Sequence, residues 1–396
     1  MNARLLDYQP SRFFPAIMIY YLAESGWRVA LLWIVLSATR SPVATAIAVA
    51  ADLVPTIWVG LVGPHRGAGH NIRLLVLWQA VVIAVALSVF RQPFAIPGLI
   101  TVAAANGWLS ARVVPSAQAA LMQSVPVRHK AQASARYEIA SRTGMLLGPA
   151  LTGWALSRLA TPWTLLGAVA LFALAAGLFG MLPIAGQGFV NGPSAPAWRD
   201  VWQIIRHDAF LRIALEVRGL NNFLWPAFTL GVPLMTLSVW HGGAVGYGGI
   251  RSLWAASTIF STVLLARVAG PRIRRLYFWS WVFTGIGFVA MAASPSYPVA
   301  AAAAVLGAVG SPIVHVALDS YIGTAVAPPL QGRVFAFQQL VMASLGALGM
   351  GGVALALRHL SVEGTLLAAG LLMALAALWG AWRAYGTSPE TLADAP

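Results

Sequence analysis

The side chains best able to do chemistry in this chain are a few ionisable residues set in otherwise apolar stretches. Glu24 and Arg28 lie four apart in the first such stretch, the spacing that puts two side chains on one helix face. Asp52 stands near the middle of the second, with no evident partner nearby in sequence. Glu138 and Arg142 repeat the four-residue spacing in the fifth. Glu216, Arg218, Asn221 and Asn222 crowd the seventh, and His315 and Asp319 lie four apart in the tenth. A charge at the centre of a bilayer costs about 2.5–3.5 kcal/mol on insertion scales, so such groups normally face protein or water and find partners.

Two kinds of chemistry follow. A buried carboxylate can take up a proton, because desolvation disfavours its charged form while a neighbouring Arg opposes that shift. Alternate exposure to two solvents then links proton movement to solute movement. Asp52, Glu24 and Glu216 are the best proton carriers, and His315 is a weaker one. Arg28, Arg142 and Arg218, with Asn221 and Asn222, are the candidates to bind an anionic group on a substrate. Arg112 fits a neutralising or anchoring role better. Glu24–Arg28 and Glu138–Arg142 read equally well as static ion pairs, and Asp319 as the neutraliser of Arg333.

The surrounding elements follow from composition. Of 396 residues, 59% are hydrophobic and 9% charged, against about a quarter charged in soluble domains. Lipid is therefore the solvent for most of the surface, and no separate soluble domain is evident. A helix needs roughly 20 apolar residues to cross the hydrocarbon core. On that basis the spacing predicts spans at 12–38, 42–63, 74–91, 94–116, 136–158 and 162–184. Six more follow at 209–238, 246–269, 275–293, 297–323, 334–357 and 361–384. The first is too long for a signal-peptide core and reads as a retained helix. The expectation is an all-α integral membrane protein with twelve transmembrane helices in two pseudo-symmetric six-helix bundles, 1–184 and 209–396.

Charge sets the orientation. The net charge of +14 does not indicate a nucleic-acid partner, because the 25 basic residues are spread between apolar runs without a dense stripe. With the amino terminus inside, fifteen basic residues fall on the cytoplasmic side, five outside and five within spans. That bias predicts cytoplasmic termini and a cytoplasmic linker at 185–208. Within the linker, Trp198, Val201, Trp202 and Ile205 recur at helical spacing, which fits a short interfacial helix or an ordinary ordered linker.

The halves resemble each other. Gly63-Pro64-His65-Arg66 closes the second span and Gly270-Pro271-Arg272 the eighth. Val125-Pro126 and Ala327-Pro328 precede basic loops, and Pro126/Pro328 share a 202-residue offset with Gly144/Gly346. Repeated halves are the architecture of many secondary transporters. Span five also carries Gly144, Gly148, Pro149 and Gly153, which strip one face of side chains and permit close helix contact or a bend.

That glycine–proline segment resembles the antiporter motif of the major facilitator superfamily. Gly332-Arg333-Val334-Phe335, after Val326-Ala327-Pro328, resembles the loop between helices ten and eleven in bacterial multidrug and siderophore exporters of the superfamily. Pro233-Leu234 and Gly246-Tyr247-Gly248 fit the same group. One departure concerns the loop after helix two: Gly60-Leu61-Val62-Gly63-Pro64-His65-Arg66-Gly67 lacks the usual Asp, leaving Arg66 to contact a helix end without the family's charge lock. Arg66, Arg112, Gly144, Gly148, Pro149, Gly153, Asp319 and Arg333 are thus the gating candidates.

The resemblance implies a proton-coupled secondary transporter, working as a monomer in the bacterial inner membrane and exporting a small amphipathic molecule, a drug or a siderophore. The intramembrane arginines favour an anionic cargo. An uptake porter or lipid translocase of the same fold is the close alternative. A membrane transferase would need clustered acidic ligands for its metal, whereas the acids here are scattered and Cys is absent. No metal site, cofactor or enzymatic role is expected; the partners are substrate, protons and lipid.

Overall fold

The computed structural model describes residues 13–62, 72–89, 95–124, 130–181, 198–268, 273–326 and 328–385. These form fifteen helices and account for twelve spans. The first six are single helices: α1 (Phe13–Thr39), α2 (Pro42–Val62), α3 (Ile72–Val89), α4 (Ala95–Ser124), α5 (Lys130–Arg158) and α6 (Thr161–Gly180). A linker helix, α7 (Trp198–His207), precedes the seventh span, which is α8 (Ala209–Leu224) continued by α9 (Pro226–Ser238). Then come α10 (Gly243–Val268), α11 (Ile273–Ala292), the paired α12 (Tyr297–Ala308) and α13 (Ser311–Ala325), α14 (Pro328–His359) and α15 (Val362–Tyr385). The chain is an all-α membrane protein of twelve spans in two six-helix bundles.

The breaks in spans seven and ten have local causes. Pro226 has no N–H to donate and its ring crowds the preceding turn, so α8 ends at Leu224 and α9 begins beyond Trp225. In span ten, Pro312 sits in the first turn of α13. Gly310, just before it, lies so close to α11 that a Cβ would collide with the Ser280 carbonyl oxygen. Elsewhere the helices outrun the apolar stretches that predicted them. α5 begins at Lys130 and α14 at Pro328, because polar residues at a membrane surface extend a helix without needing lipid around them.

Among the described residues five stretches are individually long and apolar enough to cross a membrane: Phe13–Thr39, Thr161–Gly180, Tyr297–Asp319, Leu340–His359 and Val362–Tyr385. The most apolar window of α1 is 78% buried, against 28% for Leu340–His359, so α1 is a central helix and α14 turns much of its surface outward. Outward faces carry large apolar side chains such as Trp163, Phe260 and Trp382. Such an apolar exterior belongs in lipid.

Contacts divide the chain into two compact units, Met1–Gly192 with Gly243–Ser252, and Pro193–Gly242 with Leu253–Pro396. In the first, α1 packs against α5, α6 and α2, while α4 packs against α2 and α3. Gly144 and Gly148 seat α5 on α1: a Cβ on Gly144 would strike the Met18 carbonyl, and one on Gly148 would strike Ser25 Oγ. Ser25 Oγ also donates to the Gly144 carbonyl at 3.2 Å. The five-residue step from Gly148 to Gly153 rotates by about 140° around the helix. Gly153 accordingly faces elsewhere, against Ala244 and Gly248 at the start of α10, and Gly248 in turn lies against the Pro149 carbonyl. In the second unit, α11 packs against α15, α12 and α13, and α8 against α14 and α15. Here α7 buries Val201 and Ile205 in the core but leaves Trp202 55% exposed. Trp202 is thus not on the same face as Val201 and Ile205.

Candidate functional site

Between Ala16 and Leu36 every residue of α1 is buried or partly buried except Arg28, whose side chain is 45% exposed. That single opening lies over two buried carboxylates, Glu24 at 4% exposure and Asp52 at 3%. Arg28 Nη2 is 3.0 Å from Glu24 Oε1, one turn back on its own helix. Its Nε donates to Asp52 Oδ2 on α2, also at 3.0 Å. Asp52, unpartnered in the sequence reading, therefore shares the guanidinium with Glu24. The pairing escapes a reading by spacing because it crosses between helices.

Uncharged polar side chains complete the cluster. Asn106 Nδ2 on α4 donates to Asp52 Oδ1 at 3.2 Å and to Glu24 Oε2 at 3.4 Å. Its own Oδ1 accepts from Gln79 Nε2 on α3 at 3.1 Å. Ser110 Oγ donates to Glu24 Oε1 at 3.0 Å and accepts from Tyr20 OH at 3.3 Å. Gly107 makes the Asn106 contact possible, since a Cβ there would run into the Asp52 backbone. Four helices thus converge on two acids that share one arginine. With both acids ionised the three charged groups sum to −1; with one protonated they are neutral. Tyr20, Gln79, Asn106 and Ser110 are functional candidates that sequence reasoning passed over. The signal for Gln79 and Asn106 was available, because a side-chain amide inside an apolar helix needs a partner.

The remaining candidates do not join this cluster. Arg142 pairs with Glu138 at 3.4 Å in an exposed pair, their side chains 38% and 55% exposed. Arg112 lies over the Trp108 ring, 3.9 Å from its centroid, which suits the anchoring role. Glu216, expected among the buried carboxylates, is instead 44% exposed and 3.8 Å from Arg383 of α15. Its position on α8 falls with exposed Leu220 rather than with buried Arg218. Arg218 is 5% exposed and its Nη2 donates to Nδ1 of His315 at 2.8 Å. Asn222 Nδ2 donates to the Met342 carbonyl of α14 at 2.5 Å, a tie between helices. Asn221 is fully buried and donates to Val217 in its own helix. Asp319 is exposed. Arg66 lies outside the described residues, as does the side chain of Arg333. Among the described residues no group of three or more His, Cys, Asp or Glu is placed to hold a metal.

Solved structures share this architecture. A POT family transporter in complex with a thioalcohol-conjugated peptide superposes with a TM-score of 0.74 at 11% identity, over 93% of this chain and 94% of that one. The nucleoside transporter NupG gives 0.71 at 11% identity, over 94% and 96%. A bacterial homologue of the human lysosomal transporter Spinster, inward-facing and unoccupied, gives 0.68 at 13% identity, over 95% and 97%. The chain has the fold of the major facilitator transporters. At these identities the likeness extends to the fold alone. No family model matches the sequence and no curated protein aligns with it significantly. Within this major facilitator fold, the Glu24–Arg28–Asp52 cluster lies wholly in the first unit and the Arg218–His315 pair wholly in the second.

Proposed function

We propose that the protein is a proton-coupled secondary transporter that moves a small amphipathic molecule by alternating access. The observation that carries this reading is the sharing of one guanidinium by two buried carboxylates. One arginine neutralises one acid, so the cluster reaches neutrality by holding a proton on Glu24 or Asp52. Arg28, open on one side, can change partners when an anionic group arrives. Proton and cargo then compete for, or cooperate through, the same three side chains. The fold shared with solved transporters supports movement of a solute rather than its chemical conversion.

Export is the direction favoured by the likeness of the span-five segment to the antiporter motif, with a drug-like or siderophore-like cargo. The excess of Arg in one set of loops supports cytoplasmic termini in a bacterial inner membrane. Purified protein in proteoliposomes, given an imposed proton gradient and a mixed panel of amphipathic solutes, tests the reading. Saturable, gradient-dependent solute movement is expected, and its sign separates export from uptake. Turnover of a lipid-linked donor without solute flux would overturn it. Orientation has its own test: a single Cys at Gly188 in this Cys-free chain should label only from the cytoplasmic side.

A further inference from the structure

Arg218 is the reverse of Arg28. It is buried to 95%, yet no carboxylate lies within ion-pair distance of it among the described residues. Its one hydrogen-bond partner is Nδ1 of His315, and because guanidinium only donates, that nitrogen must be the acceptor and the imidazole proton sits on Nε2. The imidazole is therefore neutral and supplies no counter-charge. Nη1 of Arg218 is buried with no hydrogen-bond partner among the described residues. One turn further along α8, Asn221 is fully buried with Oδ1 unpartnered. Residues three apart face the same side of a helix.

A buried cation without a counter-charge and with unused donors is a costly arrangement for the protein alone. A ligand that brings the missing charge removes both penalties. We infer that Arg218 and His315 form an anion-binding subsite, which takes a carboxylate or phosphate group on Nη1 of Arg218. The free Oδ1 of Asn221 suits a cargo that carries an N–H or O–H donor beside its anionic group. His315 is itself exposed on α13, so the site reaches the surface of its unit. This rests on the transport reading for its biological use, but equilibrium binding does not depend on transport.

The test is binding to the full-length protein in detergent and chloride-free buffer, using benzoate, phenyl phosphate and, as the uncharged control, benzamide. Benzoate or phenyl phosphate should bind and raise the unfolding temperature, whereas benzamide should not. Arg218→Gln should weaken anion binding by about tenfold or more, the loss of one charge-assisted contact. Arg218→Lys should retain part of it. In anion-free buffer Arg218→Gln should unfold at the same temperature as the parent or higher, because it removes an uncompensated charge. Equal anion affinity in parent and Arg218→Gln, equal effects of benzoate and benzamide, or no binding of either anion would overturn the inference. So would a marked loss of stability in anion-free Arg218→Gln, which would make Arg218 a structural cation. Anion binding in a protein that moves no solute would instead leave the subsite standing and sink the transport reading.

Discussion

Each bundle buries polar machinery around an arginine, and the two arrangements have opposite electrical character. In the first unit Arg28 is half-exposed and faces two buried carboxylates, with Asn106 and Ser110 filling their remaining acceptor positions. In the second, Arg218 is buried beside a neutral imidazole and keeps one amino group idle. The first cluster has two carboxylates for one guanidinium, and in the proposed function a proton completes it. The second has an arginine with no carboxylate within ion-pair distance among the described residues, which the proposed subsite completes with an anion. The two units thus surround their arginines differently, and the difference lies in a handful of side chains on α1, α2 and α4 in one and on α8 and α13 in the other.

The comparison breaks most visibly through packing. Glu24 and Arg28 of the first cluster lie on α1, which packs against α5, and Gly148 leaves no room there: even a Cβ would meet the Leu22 carbonyl at 2.6 Å. Gly148→Leu is expected to abolish or nearly abolish transport while the protein still inserts, a split read by flux per inserted molecule. Well-expressed Gly148→Leu protein with parental flux would detach this packing from the mechanism.

Arginine removal sharpens the contrast next. Arg28→Ala strands two buried acids, and thermal unfolding should show a loss of up to about 3 kcal/mol, below the range for fully buried pairs because half of Arg28 is open to solvent. Arg218→Gln should show no such loss. Matching effects at the two positions would erase the distinction between the clusters. The smallest effect belongs to Glu216→Gln. Its exposed pairing with Arg383 at 3.8 Å contributes about 1 kcal/mol at most. Transport within about twofold of the parent is expected in flux assays.

Much of this fold was legible in the chain. Twelve apolar stretches became twelve spans, several within two residues at their ends, because a bilayer imposes length and hydropathy so strictly. The breaks at Trp225 and Gly310 were not, since a proline inside an apolar run can either bend a helix or divide it. At the site, Glu24–Arg28 was readable from its four-residue spacing, whereas Asp52 gained its partner across a helix interface that no spacing encodes. Glu216 was misplaced for a further reason. Where lipid replaces water, the outer face of a helix is as apolar as its inner face, so Leu220 gives no hint that Glu216 points outward. The polar neighbours Gln79, Asn106 and Ser110 were readable in kind but not in arrangement.

The central claim is that the acids of the first cluster carry the coupled proton, and Asp52→Asn tests it most directly. The substitution keeps the size of the side chain and much of its hydrogen bonding to Asn106 and Arg28, but removes titration. Two assays on the same proteoliposomes separate the possibilities: uphill accumulation driven by a proton gradient, and solute exchange at equilibrium with no net proton movement. Glu24→Gln run in parallel shows which acid is indispensable. The account predicts that Asp52→Asn loses uphill accumulation and keeps exchange. Accumulation against a gradient as strong as in the parent protein, in both Asp52→Asn and Glu24→Gln, would contradict it.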